Sequence, residues 1–330
     1  MRGRESFNLF LIAVFALLVL ALAPWAGVHS ISWSEVFGAE SALPADVFWK
    51  LRVPRVLTGF LAGCGLAVGG AAFQALFRNP LAEPFILGVS SGASAGAALA
   101  LFLGGGAALA GWLAWENAFA FAGALAAILI VHALTRVRGG DSPAQALLAG
   151  VAVNFFFSSI VMLMQHLSDP TNAARMFRAM IGGIGTANQR QLLVALPFLA
   201  VGIFVVVGRR RELDLLSLGE EEALTRGVDT GKMRKTLFLA VSVMVGAITA
   251  LCGPVGFVGL LAPHICRKLV GPGHGKLLAA SALFGGAFLV AADLAARLIV
   301  APAELPVGVV SSLCGAPFFL WLLVRRGNRR

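Results

Sequence analysis

From Ser6 to Ser34 the chain carries no Lys, Arg, Asp or Glu, and this is the first of many apolar runs bounded by charge. An α-helix rises about 1.5 Å per residue, so roughly 20 such residues cross the ~30 Å hydrocarbon core of a bilayer. In that solvent every backbone N–H and C=O must be paired internally, and uninterrupted runs of this length meet the demand as helices. The remaining sequence agrees: with 58% hydrophobic residues, 13% charged ones and a mean hydropathy of +0.87, one water-soluble core cannot hide the apolar surface. The expected fold class is all-α, a polytopic membrane protein of about ten transmembrane helices forming a single domain over residues 1–330.

The spans are expected at 7–27, 56–77, 85–103, a fourth ending at Thr135, 143–166, a sixth ending at Gly208, 236–252, a short eighth ending before Arg267, 277–296 and 305–324. Ala21-Leu22-Ala23 imitates a signal-peptide cleavage site, but the run is longer than a usual h-region, and an uncleaved first helix is expected. Residues 28–50, with Trp33, Trp49, Glu35, Glu40 and Asp46, suit an outer interfacial segment. Lys and Arg divide 19 against 7 between the two sides, which places both termini in the cytoplasm. The formal charge of +10 is spread over segment ends, so it speaks for membrane orientation and membrane lipid, not for nucleic acid. Cys64, Cys252, Cys266 and Cys314 fall singly in apolar stretches and read as packing residues.

One stretch breaks the pattern. Residues 209–235 hold 13 of the 42 Lys, Arg, Asp and Glu side chains and form a polar platform between spans six and seven. Ser217 three residues before Glu220 reads as a capping box, Glu220, Glu221 and Glu222 suit a first helical turn, Arg226 the last, and Gly227 the exit. Leu213, Leu215, Leu216 and Leu218 form an apolar piece ahead of it, with Gly219 as the joint, and Asp229 or Thr230 caps the next long helix. Two readings stand: a solvated loop obeying the positive-inside bias, or a docking surface for a soluble partner.

Other motifs mainly exclude. Gly88, Gly92 and Gly96 lie four apart as a small-residue seam, and the resulting G-x-S-x-G matches at Ser90 and Ser94 lack a strand-to-helix turn and a paired His. His132, His166 and His264 show no H-E-x-x-H spacing, and no metal site is expected. The stretches 227–233 and 271–277 resemble phosphate loops, yet each has one residue too few between its glycines and no Ser or Thr after the lysine. ATP is therefore not expected to bind here, and an ATP-driven motor would be another polypeptide docked on the platform. Asp293 and Arg297, four apart in span nine, can pair along the helix. With Arg52 and Arg55 flanking Pro54, Arg297 completes an outward cluster of three guanidinium groups that suits an acidic protein partner or lipid headgroups.

Leu51-Arg-Val-Pro-Arg55, Gln74-Ala-Leu-Phe-Arg-Asn-Pro-Leu-Ala-Glu-Pro84 and Leu87-Gly-Val-Ser-Ser-Gly-Ala93 resemble the permease subunit of binding-protein-dependent ABC importers of the FecCD type. Leu218-Gly-Glu-Glu-Glu-Ala223, Gly256-Phe-Val-Gly-Leu260, Pro263-His-Ile-Cys-Arg267, Ala292-Asp293, Glu304-Leu-Pro-Val-Gly308 and Gly315-Ala-Pro317 extend the match over nearly the whole chain. The resemblance implies a type II importer permease fold of ten helices in the bacterial inner membrane, carrying an iron-siderophore, haem or cobalamin-type chelate. It implies a homodimer, or a heterodimer with a similar permease, two ATPase subunits that hold ATP-Mg, a periplasmic or lipid-anchored substrate-binding protein, and no cofactor on this chain. By the same resemblance, residues 213–228, including Leu218, Gly219, Glu220, Glu221, Glu222 and Arg226, grip the ATPase, while Arg52, Arg55 and Arg297 face glutamates of the binding protein. The resemblance also implies that Asn79, Pro80 and Leu81, with Ser142 and Pro143, border a cytoplasmic gate. A secondary transporter or channel without a motor is the alternative, and it would call for a buried acidic relay where only Asp293 falls clearly within a span.

Overall fold

Among the described residues, ten helices follow the apolar runs, with short ones between them. In chain order they are α1 (Arg2–Leu22), α2 (Trp33–Phe37), α3 (Ala42–Asp46), a π-helical turn (Val47–Arg52) continuous with α4 (Val53–Leu76), a 3-10 turn (Pro84–Leu87), α5 (Val89–Phe102), α6 (Trp115–Val137) and α7 (Pro143–Leu167). Then come α8 (Pro170–Ile181), α9 (Gln189–Gly208), α10 (Arg210–Leu218), α11 (Glu220–Thr225), α12 (Thr230–Cys252), α13 (Val258–Val270), α14 (His274–Leu298) and α15 (Val307–Gly327). This computed structural model describes residues 2–27, 29, 31–38, 42–104, 115–137, 143–184 and 189–327, and among them there is no strand. Among the described residues, seven helices are long and apolar enough to cross a membrane, and α5 and α15 are shorter apolar ones. The tenth, α13, has 13 residues and reaches about 20 Å, too short to cross alone.

The core forms around α4, which is buried along most of its length and packs against α9, α12, α13 and α14. Its glycines would make it a poor helix in water, and an apolar surround that offers the backbone no other partner reverses that preference. They also allow close approach: a Cβ on Gly63 would run into the backbone carbonyl of Gly285 on α14, so these two helices touch without intervening side chains. The expected seam on α5 is formed by Gly92 and Gly96 against Gly123 and the Phe119 carbonyl of α6. Gly88 does not belong to it. It stands at the N-terminus of α5 with φ 78°, in the left-handed region that glycine tolerates, and faces Val153 of α7. α1 is the least buried of the spans and rests on α13 and α14, with Asn8 Nδ2 donating to the Leu269 carbonyl at 2.7 Å and Lys276 paired with Glu5 at 2.9 Å.

Candidate functional sites at the two ends of the bundle

The platform end is built by α10 and α11. Leu213 and Leu216 are wholly buried, seating α10 against α4 and α14, whereas Leu218 is 67% exposed and Leu224 on α11 is 53% exposed. The bend between the helices is Gly219 at φ 154° and ψ 156°, which makes it the joint the sequence indicates. The capping box does not form. Gly219 itself occupies the N-cap, and Ser217 donates its hydroxyl to the Asp214 carbonyl at 2.6 Å, completing the end of α10 instead. Asp229, not Thr230, caps α12 by accepting from the Lys232 N–H at 2.9 Å.

The platform acids divide by partner. Glu220 reaches Arg234 of α12 at 2.7 Å, Glu222 pairs with Arg226 at 2.7 Å, and Arg209 holds Glu212 at 2.7 Å. Glu221 is exposed and makes no ion pair among the described residues. Asp214 points the other way: one of its oxygens accepts both the backbone N–H of His274, at 2.8 Å, and ring Nδ1 of His274, at 2.7 Å.

Close to the platform, the turn after α4 is fixed by Asn79, whose Oδ1 accepts from the Leu81 N–H at 2.9 Å, while Arg78 takes a left-handed φ of 48°. Asn79, Pro80 and Leu81 are half-buried. Pro143 opens α7, and Ser142 lies outside the described residues. Glu83 is the residue that motif reading passed over. Its carboxyl group is fully buried against the backbone N–H groups of Phe257 and Gly259 at the start of α13, and burial pushes its pKa up to about 8 while those N–H groups pull it back down.

At the opposite end the three arginines do come together, but not as free charges. Arg52, 8% exposed, donates to the carbonyls of Pro24, Trp25 and His29 at 3.2, 3.3 and 2.6 Å, locking the exit of α1. Arg55 grips both Asp293 oxygens at 2.9–3.2 Å and Glu304 at 3.0 and 3.1 Å. Arg297 is 6% exposed, lies 3.2 Å from Asp293 as the four-residue spacing implies, and donates to the Ala26 carbonyl at 3.4 Å. The expectation of an outward-facing trio is corrected in this respect: two of the three guanidinium groups are inside the fold, Arg52 held by backbone carbonyls and Arg297 by Asp293 and the Ala26 carbonyl, while Nε and Nη2 of Arg297 make no hydrogen bond among the described residues.

Sequence spacing could not reveal the pairing of Arg55 with Asp293, 238 residues away, or with Glu304, 249 away. Beside this cluster opens a cavity of about 660 Å³, lined by Arg55, Asp293 and Glu304 together with Glu116 and with Arg175 and Arg178 of α8. α8 is capped by Asp169, which accepts from the backbone N–H groups of Thr171 and Asn172 at 2.9 and 3.1 Å; the backbone N–H of Asn172 does most to hold that carboxyl below its ordinary range.

The model of the FecCD transport family matches residues 11–325. The chain belongs to that family. Among curated relatives it is 36% identical to the hemin transport system permease protein HmuU of Yersinia pestis, over 100% of this chain and 99% of that one. It is 39% identical to the vitamin B12 import system permease protein BtuC of Escherichia coli O139:H28, over 97% and 95% of the two chains. A metal-chelate type ABC transporter solved in an inward-facing conformation superimposes with a TM-score of 0.84 at 28% identity, covering 96% of this chain and 98% of that one. As a FecCD permease, the protein is a multi-pass transport component of an ABC importer, and a separate subunit hydrolyses ATP.

Proposed function

We propose that this permease passes a haem, cobalamin-type or iron(III)-siderophore chelate from an outer binding protein to the cytoplasm by alternating access, driven by two ATPase subunits bound on α10 and α11. The observation that carries the reading is the asymmetry of the platform leucines. Leu213 and Leu216 are spent on seating α10, while Leu218 and Leu224 are exposed beside Glu221, which has no ion pair among the described residues; an unfilled protein interface looks like this. The names of the relatives, one for hemin and one for vitamin B12, support a bulky chelate as cargo. The 19-to-7 division of Lys and Arg supports a bacterial inner membrane with both termini and the platform in the cytoplasm.

In this reading Leu218, Gly219, Glu220, Glu221, Glu222 and Arg226 form the ATPase contact, and Asn79, Pro80, Leu81, Ser142 and Pro143 border the gate. At the outer end, Arg55 is the member of the trio whose partner can be exchanged, since Glu304 is 49% exposed. A glutamate of the binding protein would compete with Glu304 for it, while Arg52 and Arg297 hold the frame. The permease works as a dimer, with itself or a similar chain, and binds no cofactor.

The test is co-purification of the ATPase and ATP-dependent uptake in vesicles. Leu218→Asp with Glu221→Lys is expected to strip the ATPase from a permease that still inserts; retention of the ATPase, or uptake without ATP, defeats the reading.

A further inference from the structure

Besides the chain connections to α9 and α12, the described residues show three attachments of the platform to the membrane bundle. Leu213 and Leu216 give α10 an apolar seat, Glu220 ties α11 to its own continuation α12 through Arg234, and Asp214 clamps His274, 60 residues on. These attachments differ mechanically. Apolar contact is non-directional and lets surfaces slide, and the Glu220–Arg234 pair joins elements already adjacent in the chain. The Asp214 clamp is directional at both of its bonds and ends on a helix that does not flank the platform.

His274 is the first residue of α14 and is 2% exposed. A carboxylate only accepts hydrogen bonds, so ring Nδ1 is the protonated nitrogen, and the backbone N–H joins it on the same oxygen. Ring Nε2 is buried with no hydrogen-bond partner among the described residues. The ring therefore has one bonding arrangement in its seat. If Asp214 moves, the start of α14 moves with it or two buried donors are orphaned.

α14 is suited to carry such a displacement. Its 25 residues contain no proline, span about 37 Å and lie against α4 along the bare Gly63–Gly285 contact. At its far end are Asp293 and Arg297, the former in the grip of Arg55. One unbroken helix thus has its first residue fixed to the platform and its last turns in the outer charge cluster.

We propose that His274 and Asp214 are positioning residues for transport: their clamp passes platform movement to α14, and through α14 to the Arg55–Asp293–Glu304 cluster. This rests on the platform being the ATPase contact, and the experiment keeps the two ideas apart. The full importer is reconstituted in proteoliposomes with its ATPase and binding protein, and two quantities are read: ATPase retained per permease, and chelate taken up per ATP hydrolysed.

Asp214→Ala and His274→Ala are expected to retain the ATPase while uptake per ATP falls by about fivefold or more, the lower range of typical coupling free energies. His274→Asn, whose side-chain amide can donate where Nδ1 did, and Asp214→Asn, which keeps an acceptor oxygen, are expected to recover most of it. Recovery by these variants separates a positioning contact from mere bulk, and both remain informative if an alanine variant fails to fold. The proposal is overturned if the assembled alanine variants keep wild-type uptake per ATP, or if the Asn variants are as uncoupled as the alanines. Platform docking fails by a different result: ATPase retention by the Leu218→Asp, Glu221→Lys permease.

Discussion

The two charged ends of this permease handle their ionisable groups in opposite ways. At the end away from the platform, Arg52, Arg55 and Arg297 are held, among the described residues, by six backbone or acidic partners: the carbonyls of Pro24, Trp25, Ala26 and His29, with Asp293 and Glu304. At the platform, ion pairs lie on the surface, Glu221 has none among the described residues, and two leucines face water. A partner arriving at the platform adds contacts to groups that lack them. One arriving outside must replace contacts already made, so its binding is an exchange reaction and is sensitive to which state the cluster is in.

The sharpest way to break this contrast is to remove the acid at the centre of the outer cluster. Asp293→Ala leaves Arg55 and the buried Arg297 without it and is expected to cost about 3–5 kcal/mol, the usual result of breaking a buried pair. Thermal unfolding of the purified permease reads this; a loss under about 1 kcal/mol, the range of surface pairs, would erase the difference between the ends.

Glu83 comes next, as a buried acid near the platform end. Glu83→Ala orphans two backbone N–H groups at the start of α13 and is expected to cost about 1–3 kcal/mol for each, whereas Glu83→Gln keeps an acceptor. Its folded pKa is raised from 4.5 to about 8, so the unfolded chain gives up the proton first. Stability from this group is present below 4.5, falls as pH climbs toward 8 and is level above it. Unfolding of wild type and Glu83→Gln across that window should differ in slope; parallel curves would mean that the carboxyl is not held protonated.

The platform leucines should show the reverse profile. Leu218→Asp with Leu224→Asp is expected to weaken ATPase binding by about tenfold or more, ~1.4 kcal/mol, with stability within about 0.5 kcal/mol of wild type. A large drop in melting temperature would show that they are structural. The smallest effect is expected at the exposed Asp46–Lys50 pair, where Lys50→Ala should change stability by no more than about 0.5 kcal/mol.

What was legible in the sequence follows the range of the signals. Hydropathy acts over one segment, and the ten spans follow from it; the Gly219 bend and the exit glycine at 227 follow from the placing of glycine around a short helix. Local competition went unread where two caps were equally spaced: Ser217 finds its acceptor one turn back, at Asp214, before it can reach forward to α11. The start of α8 is marked by Asp169-Pro170, an N-cap followed by proline, between the expected fifth and sixth spans. The contacts of Arg55 and the Asp214–His274 clamp join residues 60 to 249 positions apart and have no periodic signature. Glu83 had a weak one, as a lone acid inside Leu81-Ala-Glu-Pro-Phe-Ile-Leu87.

The loose seating of α1 carries a consequence for how the protein is made. Among the described residues, the hydrogen-bonded anchors of α1 and its exit are Arg52, Leu269, Lys276 and Arg297, and three of the four lie more than 260 residues along the chain from the groups they hold. Most of the surface that α1 rests on belongs to α13 and α14, so its contacts are complete only when those late helices are in place. Assembly of this bundle therefore closes from its beginning, with the first helix threaded among the last to find its place.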